Sequence, residues 1–281
     1  MLQMPGFSPR SQYLCTNCRA VLKQTDAEIE IEAIVEDCPN CGADLANNLK
    51  RRTETAVISS LPKLQTAYDL TRFKIDIEKL SRVMPLSTTG SLCIVGYNAN
   101  LLLTRLCIRT LLPANHGGLD SPNVIVVDAG NRSDFYLAVN FARQYGLDLQ
   151  DALDRIIVSR TFTIHQLKNV LRELPKVVQK YQARAVIVPG LLDLFEDPNI
   201  KKREARRVID RIMKAIDELS NKLLVITSLQ TGNYANSILP AFEKRIMLSI
   251  ADRRKLYVEV YDAARSNEVT ITEKELKIVK Q

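Results

Sequence analysis

Short apolar runs at 92–95, 124–127, 156–158, 185–188 and 223–227 punctuate the chain, each bounded by polar or turn-forming residues. Runs of that length, too short for a helix, are the pattern of strands buried on both faces. Between them the apolar positions change to helical spacing: 134–145, closed by Gly146 as a C′ glycine; 164–181; and 203–221, entered through a polar loop at 195–202. Strand alternating with helix predicts an α/β fold in which a mostly parallel central sheet is flanked by helices. Near the end, 245–250 and 256–261 flank a polar tip, which predicts an antiparallel C-terminal hairpin added to that sheet.

The first third reads differently. Lys50, Arg51 and Arg52 make a basic run after Asn48, and 61–83 reads as helix with a break around 85–90. The chain therefore divides into a small module at 1–47, a helical connector at 48–85 and a large domain at 86–281. Of the 281 residues, 46% are apolar and 25% charged, enough to bury a sizeable core and unlike a disordered or collagen-like chain. The sequence has no internal repeat, no run of about 18 apolar residues, and no apolar centre of a secretory signal at its start. A cytoplasmic protein with no membrane partner is expected. The net charge of +7 favours anionic partners.

Six cysteines in a reducing compartment call for an explanation other than disulfides. Cys15 and Cys18, then Cys38 and Cys41, form two C-x2-C pairs within the spacing of a four-thiolate zinc site, with Gly42 allowing the turn after the second pair. Four thiolates close a tetrahedral zinc and leave no position for a substrate water, so the metal is structural. A redox dithiol or an iron–sulfur cluster is the alternative chemistry for the same spacing. Between the pairs, Ile29, Ile31, Ala33 and Val35 alternate with acidic residues, the reading of strand in a zinc ribbon. Cys93 and Cys107 sit in apolar runs and read as packing residues.

One series of strings carries a resemblance. Val126-Val127-Asp128 is followed by Phe141-Ala142-Arg143-Gln144-Tyr145-Gly146-Leu147, by Asp151-Ala152-Leu153-Asp154-Arg155-Ile156 and by Arg160-Thr161-Phe162-Thr163-Ile164-His165-Gln166. Leu224-Val225-Ile226-Thr227-Ser228 and the strand at 257–262 come later in the same order. Over about 86–265 these resemble the RecA/RadA recombinase ATPases, most closely the archaeal RadA type. A four-cysteine module ahead of such a core departs from archaeal RadA, which begins with a helical domain, and is similar to the domain order of bacterial RadA/Sms. The resemblance implies a RecA-like core.

It also implies a nucleotide site that this chain lacks. A phosphate-binding loop of the form G-x4-G-K-[ST] needs glycines for the wrap, a lysine against the phosphates and a hydroxyl on Mg²⁺. The matching stretch keeps Gly96, but Leu101, Leu102 and Leu103 fall where the second glycine, lysine and hydroxyl belong. Gly96, Asn100 and Thr104 are what remains of the loop. Pro189 falls on the metal-binding aspartate of the Walker-B strand, Gly130 on the glutamate that positions water, and Leu229, beside Gln230, on the γ-phosphate sensor. ATP and Mg²⁺ are not expected as cofactors, and the chain reads as a pseudo-ATPase with no catalytic residue. Asp128, Asp193 and Asp197 read as strand-end and loop-capping groups, with a rearranged metal site as the alternative. His165 reads as a structural or capping residue at a helix start.

The densest charge is Lys201 to Lys214, with seven basic and two acidic side chains. Val208, Ile209, Ile212, Met213 and Ile216 recur at helical spacing and face the core, which leaves the cations outside. In recombinases the loop at this place faces DNA, so the resemblance implies sequence-independent backbone contacts by Lys201, Lys202, Arg203, Arg206 and Arg207. A merely solvated helix end is the plainer alternative. Arg253, Arg254 and Lys255 on the hairpin make a second basic tip, and Phe195 and Tyr234 are the aromatics nearest the loops.

The expectation is a catalytically inactive RecA/RadA-like paralog that binds DNA and assists recombination or repair, with a recombinase or other RecA-like subunit as partner. A protein-interaction scaffold without DNA, or a nucleotide-binding ATPase with a rearranged loop, are the competing readings. A module of under about 50 residues rarely holds a core without metal. Chelation is therefore expected to unfold the 1–47 module alone, read as loss of its strand signal in circular dichroism, with re-addition of zinc restoring it.

Overall fold

The computed structural model describes residues 11–15, 21–25, 41, 49–53, 72–232, 234–252, 254–262 and 265–279. The chain forms two units, Met1–Leu64 and Gln65–Gln281. In the first, β1 (Ser11–Cys15) pairs antiparallel with both β2 (Val21–Thr25) and β3 (Leu49–Thr53), in the order β2-β1-β3. β2 opens the segment read as ribbon strand; the acidic alternation at 26–36 lies outside the described residues. β3 carries Lys50, Arg51 and Arg52, so the basic run assigned to the connector belongs to this sheet.

The second unit opens with β4 (Arg72–Phe73), which pairs with β5 (Leu86–Ser87) around α1 (Glu78–Val83). Among the described residues, the helix expected over 61–83 is confined to α1. Phe73, Ile75 and Ile77 are each buried, and burial at every second position is the period of extended chain. With Leu80, Met84 and Leu86 they join the main core, so 72–85 is part of the large unit.

The remaining elements run β6 (Gly90–Gly96), α2 (Ala99–Thr110), β7 (Val124–Asp128), α3 (Phe135–Gln144), α4 (Leu149–Asp154), β8 (Ile156–Arg160), α5 (Ile164–Tyr181) and β9 (Ala185–Val188). They continue as α6 (Lys202–Ser220), β10 (Leu224–Leu229), α7 (Ala235–Ile238), β11 (Lys244–Asp252), β12 (Lys255–Asp262), β13 (Arg265–Thr272) and α8 (Glu273–Lys277). β6 to β13 form one sheet in the order β13-β12-β11-β6-β10-β9-β7-β8. From β11 to β8 all neighbours are parallel, and β12 and β13 extend the sheet antiparallel.

The predicted α/β architecture holds. α2 and α3 pack one face of the sheet, α5 and α6 the other. The helices start where the sequence caps them: Asp134 accepts from the Leu137 amide and Thr163 from the Gln166 amide. Two elements depart from the reading. β8, expected to be fully buried, is the sheet edge, with Ile156 and Ile157 half-buried and Val158 exposed. β13 extends the expected hairpin to three strands; its alternation of Glu268, Val269, Thr270 and Ile271 buries only one residue fully. Among the described residues no helix is long and apolar enough to cross a membrane.

One buried ion pair ties the ends of this unit to its centre. Arg105 on α2 is 1% exposed and grips Asp76 with two nitrogens, Nε to Oδ1 at 3.0 Å and Nη2 to Oδ2 at 2.8 Å. Its Nη1 donates to the carbonyls of Glu275 and Leu276 on α8 at 2.6 and 2.9 Å, and Tyr145 Oη donates to Asp76 Oδ2 at 2.7 Å. Burial disfavours the charge on Arg105, but the bonds and charge of Asp76 outweigh it and hold the guanidinium above its ordinary pKa. Burial, reinforced by Asp76, pushes the Tyr145 phenol up to about 12. Replacing one partner of such a pair strands the other charge in the core, at a cost of roughly 3–5 kcal/mol. Asp76→Ala is expected to lose about that much in urea unfolding, whereas Glu78→Ala, which breaks only the exposed pair with Arg82, is expected to cost under about 0.5 kcal/mol.

Candidate functional site

Open α/β sheets bind ligands at the carboxyl ends of their strands, where neighbouring strands send the chain to opposite faces. β6 and β10 are such neighbours: β6 leads into α2 on one face and β10 into α7 on the other. A cavity of about 240 Å³ opens between them, lined by Gly96, the first turn of α2, Gly190, Asp193, and the end of β10 at Ser228 to Gln230. No lysine or arginine is among the described residues that line it.

The chain between β6 and α2 is a two-residue turn, Tyr97 and Asn98, with Asn98 at φ 60° and the helix already begun at Ala99. Gly96 closes β6, and Asn100 and Thr104 are helical. The Thr104 hydroxyl donates back to the Asn100 carbonyl at 2.8 Å, within its own helix. Asn100 Oδ1 accepts from Ser228 Oγ at 2.5 Å, and Ser228 Oγ accepts from the Gly190 amide at 3.0 Å. Leu102 and Leu103 point into the core at 0% and 1% exposure, and Leu101 packs against it.

Asp193 enters this cleft from the loop after β9. Its Oδ2 lies 2.5 Å from Arg132 Nε on the loop after β7. Two glycines make room for the carboxylate: a Cβ on Gly130 would lie 2.6 Å from Asp193 Oδ2, and one on Gly190 2.8 Å. Gly190 also holds φ +63°, which a larger residue adopts only with strain. Asp128, fully buried, accepts from the amides of Arg132 and Ser133 at 2.8 and 3.3 Å and faces Arg160 at 3.7 Å. Asp197 Oδ1 accepts from the Asn199 amide at 2.9 Å. Each aspartate thus has a capping or pairing role, and among the described residues no three His, Cys, Asp or Glu side chains are grouped to hold a metal ion.

The basic cluster stands where the periodicity placed it. Lys201 is the N-cap residue of α6, with no side-chain cap, and Lys202 and Arg203 follow in the first turn. Lys201, Lys202, Arg203, Arg206 and Arg207 are exposed, while Val208, Ile209, Ile212 and Ile216 are buried. β11 runs parallel to β6 and overshoots it, since Leu248 already sits opposite Gly96. The hairpin tip with exposed Arg254 and Lys255 therefore projects beyond the same carboxyl edge; Arg253 lies outside the described residues.

The aromatic candidates fare differently. Phe195 is buried, edge-on to the half-buried Tyr234 with ring centroids 6.3 Å apart, so Phe195 is a packing residue. Among the described residues the exposed rings are Tyr136, Phe162 and Tyr97, at 89%, 71% and 43%, on the segments that follow β7, β8 and β6. Sequence reasoning missed them because each adjoins a helix start and reads as part of its apolar stripe. His165 is two residues past the Thr163 cap and pairs with Glu204 Oε1 at 2.9 Å. Cys93 and Cys107 are buried, which pushes both thiols up, Cys107 to about 12. Cys15 ends β1 and Cys41 lies exposed in a turn, while Cys18 and Cys38 fall outside the described residues.

The Rad51 family model matches residues 98–238, half the chain and the whole run from α2 through α7. With the sheet order and switch-point cleft just described, that match makes the chain a member of the Rad51 family, a RecA-like family of recombination and DNA repair.

Proposed function

We propose that this Rad51-family chain has lost ATP hydrolysis and acts as a DNA-binding accessory factor in recombination or DNA repair. The observation that carries the first half is the Asp193 carboxylate seated in the switch-point cleft. A magnesium nucleotide needs a wrapping loop, a lysine, a hydroxyl on the metal and a carboxylate at the end of the Walker-B strand. Here the loop is a two-residue turn, Leu102 and Leu103 are core residues, and Pro189 follows β9. A phosphate entering the cleft would meet no cation free to hold it, since among the described residues no lysine or arginine lines the cavity and Arg132 is already engaged by Asp193. The residues present do not fit the magnesium nucleotide of a recombinase.

The DNA half rests on α6. Lys201, Lys202 and Arg203 crowd the positive end of the helix dipole, each unfavourable by roughly 0.3–1 kcal/mol until an anion lies against them. Asp193, held by Arg132, anchors the start of the loop that leads to these cations, so its position does not depend on a bound nucleotide. Arg254 and Lys255 add a second basic contact at the same edge, and Arg253 adjoins them in the sequence. Cys15, Cys18, Cys38 and Cys41 complete the reading as a structural zinc site. The open edge of β8 offers backbone groups and half-exposed Ile156 and Ile157 to another RecA-like subunit. That edge also favours the second reading, a protein scaffold without DNA.

The test is DNA affinity over about 50–200 mM salt, with and without Mg·ATP, beside a phosphate-release assay. The expected result is no phosphate release above background and an affinity that ignores ATP but falls steeply with salt. Replacing Lys201, Lys202, Arg203, Arg206 and Arg207 by Gln is expected to reduce the duplex slope of log K against log[salt] by up to about 4.5. ATP-dependent affinity or phosphate release contradicts the first half; weak binding that ignores these substitutions leaves the scaffold.

A further inference from the structure

α5 and α6 lie side by side on one face of the sheet, joined near their starts by His165 and Glu204. Along their solvent side runs a groove of about 360 Å³. Lys168 and Arg172 form one wall and Arg211 and Lys214 the other, with Leu171 and Ala215 between them. On α6 the row continues toward the helix start, because Arg203, Arg207 and Arg211 are spaced i, i+4 and share one side of the helix. From Arg203 to Lys214 it is about 16 Å long at 1.5 Å per residue.

Such a row is costly without a ligand. Like charges at i, i+4 each destabilise a helix by about 0.2–0.5 kcal/mol. Among the described residues, Arg203, Arg207 and Arg211 have no ion pair or hydrogen bond to offset this. The carboxylate lining the groove is Glu218, 4.0 Å from Lys214, and outside the lining Glu173 pairs with Arg172 at 3.4 Å and Lys176 at 3.0 Å. Those pairs are exposed, so each is worth little and yields readily to a phosphate.

We infer that the α5/α6 groove binds the backbone of duplex DNA, as a site additional to the loop at the carboxyl edge; the inference rests on the reading that the protein works on DNA. Three features select the occupant. The two cationic walls form one track with Lys201, Lys202 and Arg203 through the shared helix α6, so a strand held at the helix start meets further cations along its length. The groove floor offers no aromatic or large exposed apolar anchor: Leu171 is buried, and Pro175 is the exposed apolar residue there, which is poor chemistry for gripping a protein segment. Neither helix presents an aromatic ring along the groove on which unpaired bases would stack, so the contacts fit a duplex, which offers phosphates and keeps its bases inside.

The experiment compares three proteins on single-stranded and duplex DNA across a salt series: the wild type; a loop variant with Lys201→Gln, Lys202→Gln and Arg203→Gln; and a groove variant with Lys168→Gln, Arg172→Gln, Arg211→Gln and Lys214→Gln. The four groove substitutions are on the surface, and an unchanged melting temperature confirms the fold. The groove variant is expected to lose about 3 to 4 units of duplex salt slope while its single-strand slope stays near wild type. In the wild type, bound duplex is expected to shield Lys168 and Lys214 from an amine-reactive reagent. An unchanged duplex slope in the groove variant with full labelling of both lysines overturns the inference, and loss of poly-glutamate binding in its place assigns the groove to an acidic protein. Failure of the wild type to bind any DNA overturns the broader reading instead.

Discussion

The buried pair between Arg105 and Asp76 fixes helix α2, and α2 fixes the cleft. Arg105 and Arg109 are the cations of this helix, and both turn inward. Arg105 holds Asp76 and the carbonyls of α8, while Arg109 donates to the carbonyls of Lys74 and His116. The side chains that in a nucleotide-binding helix would face the phosphates are Leu102 and Leu103, packed into the same core. A helix committed to packing on its apolar side and to internal ion pairs on its polar side has no charge left for a ligand at its start. The polar groups that remain there, Asn100 and Ser228, bond to each other.

The cleft carries an ion pair of the chain's own at its side. Asp193 and Arg132, 61 residues apart, meet over Gly130 and Gly190, and the absence of side chains on those glycines is what admits the carboxylate. The ion pair tethers the base of the loop that follows β9. The cations it leads to, from Lys201 to Arg207, are displayed outward by a helix whose core stripe is buried at Val208, Ile209, Ile212 and Ile216 and half-buried at Met213. Fold and charge distribution act together: the sheet positions the loop, and the strongly amphipathic α6 carries the charge.

Much of this was legible in the residues. The five apolar runs mark the parallel strands, since strands covered on both faces need no polar alternation, and the stripe from Val208 to Ile216 puts the cations outside. Lost motif positions were also visible, because Leu101 to Leu103 occupy a fixed place after the first strand. Three things escaped. The arm at 72–85 read as helix because its apolar content is high, although Phe73, Ile75 and Ile77 follow the two-residue period of extended chain. β13 is half polar and lies at an edge, so little burial marks it. The seating of Asp193 beside Arg132 depends on two loops meeting across the sheet, which no local pattern encodes.

The central claim is that the chain's own carboxylate takes the place of a nucleotide at the switch-point cleft. Hydrogen exchange of the peptides covering 96–104 and 189–201, measured with and without saturating Mg·ATP, tests it most directly. The account predicts identical protection in both conditions for the wild type, and faster exchange at 189–201 when Asp193→Ala removes the tether. Protection of either segment on adding Mg·ATP would contradict it.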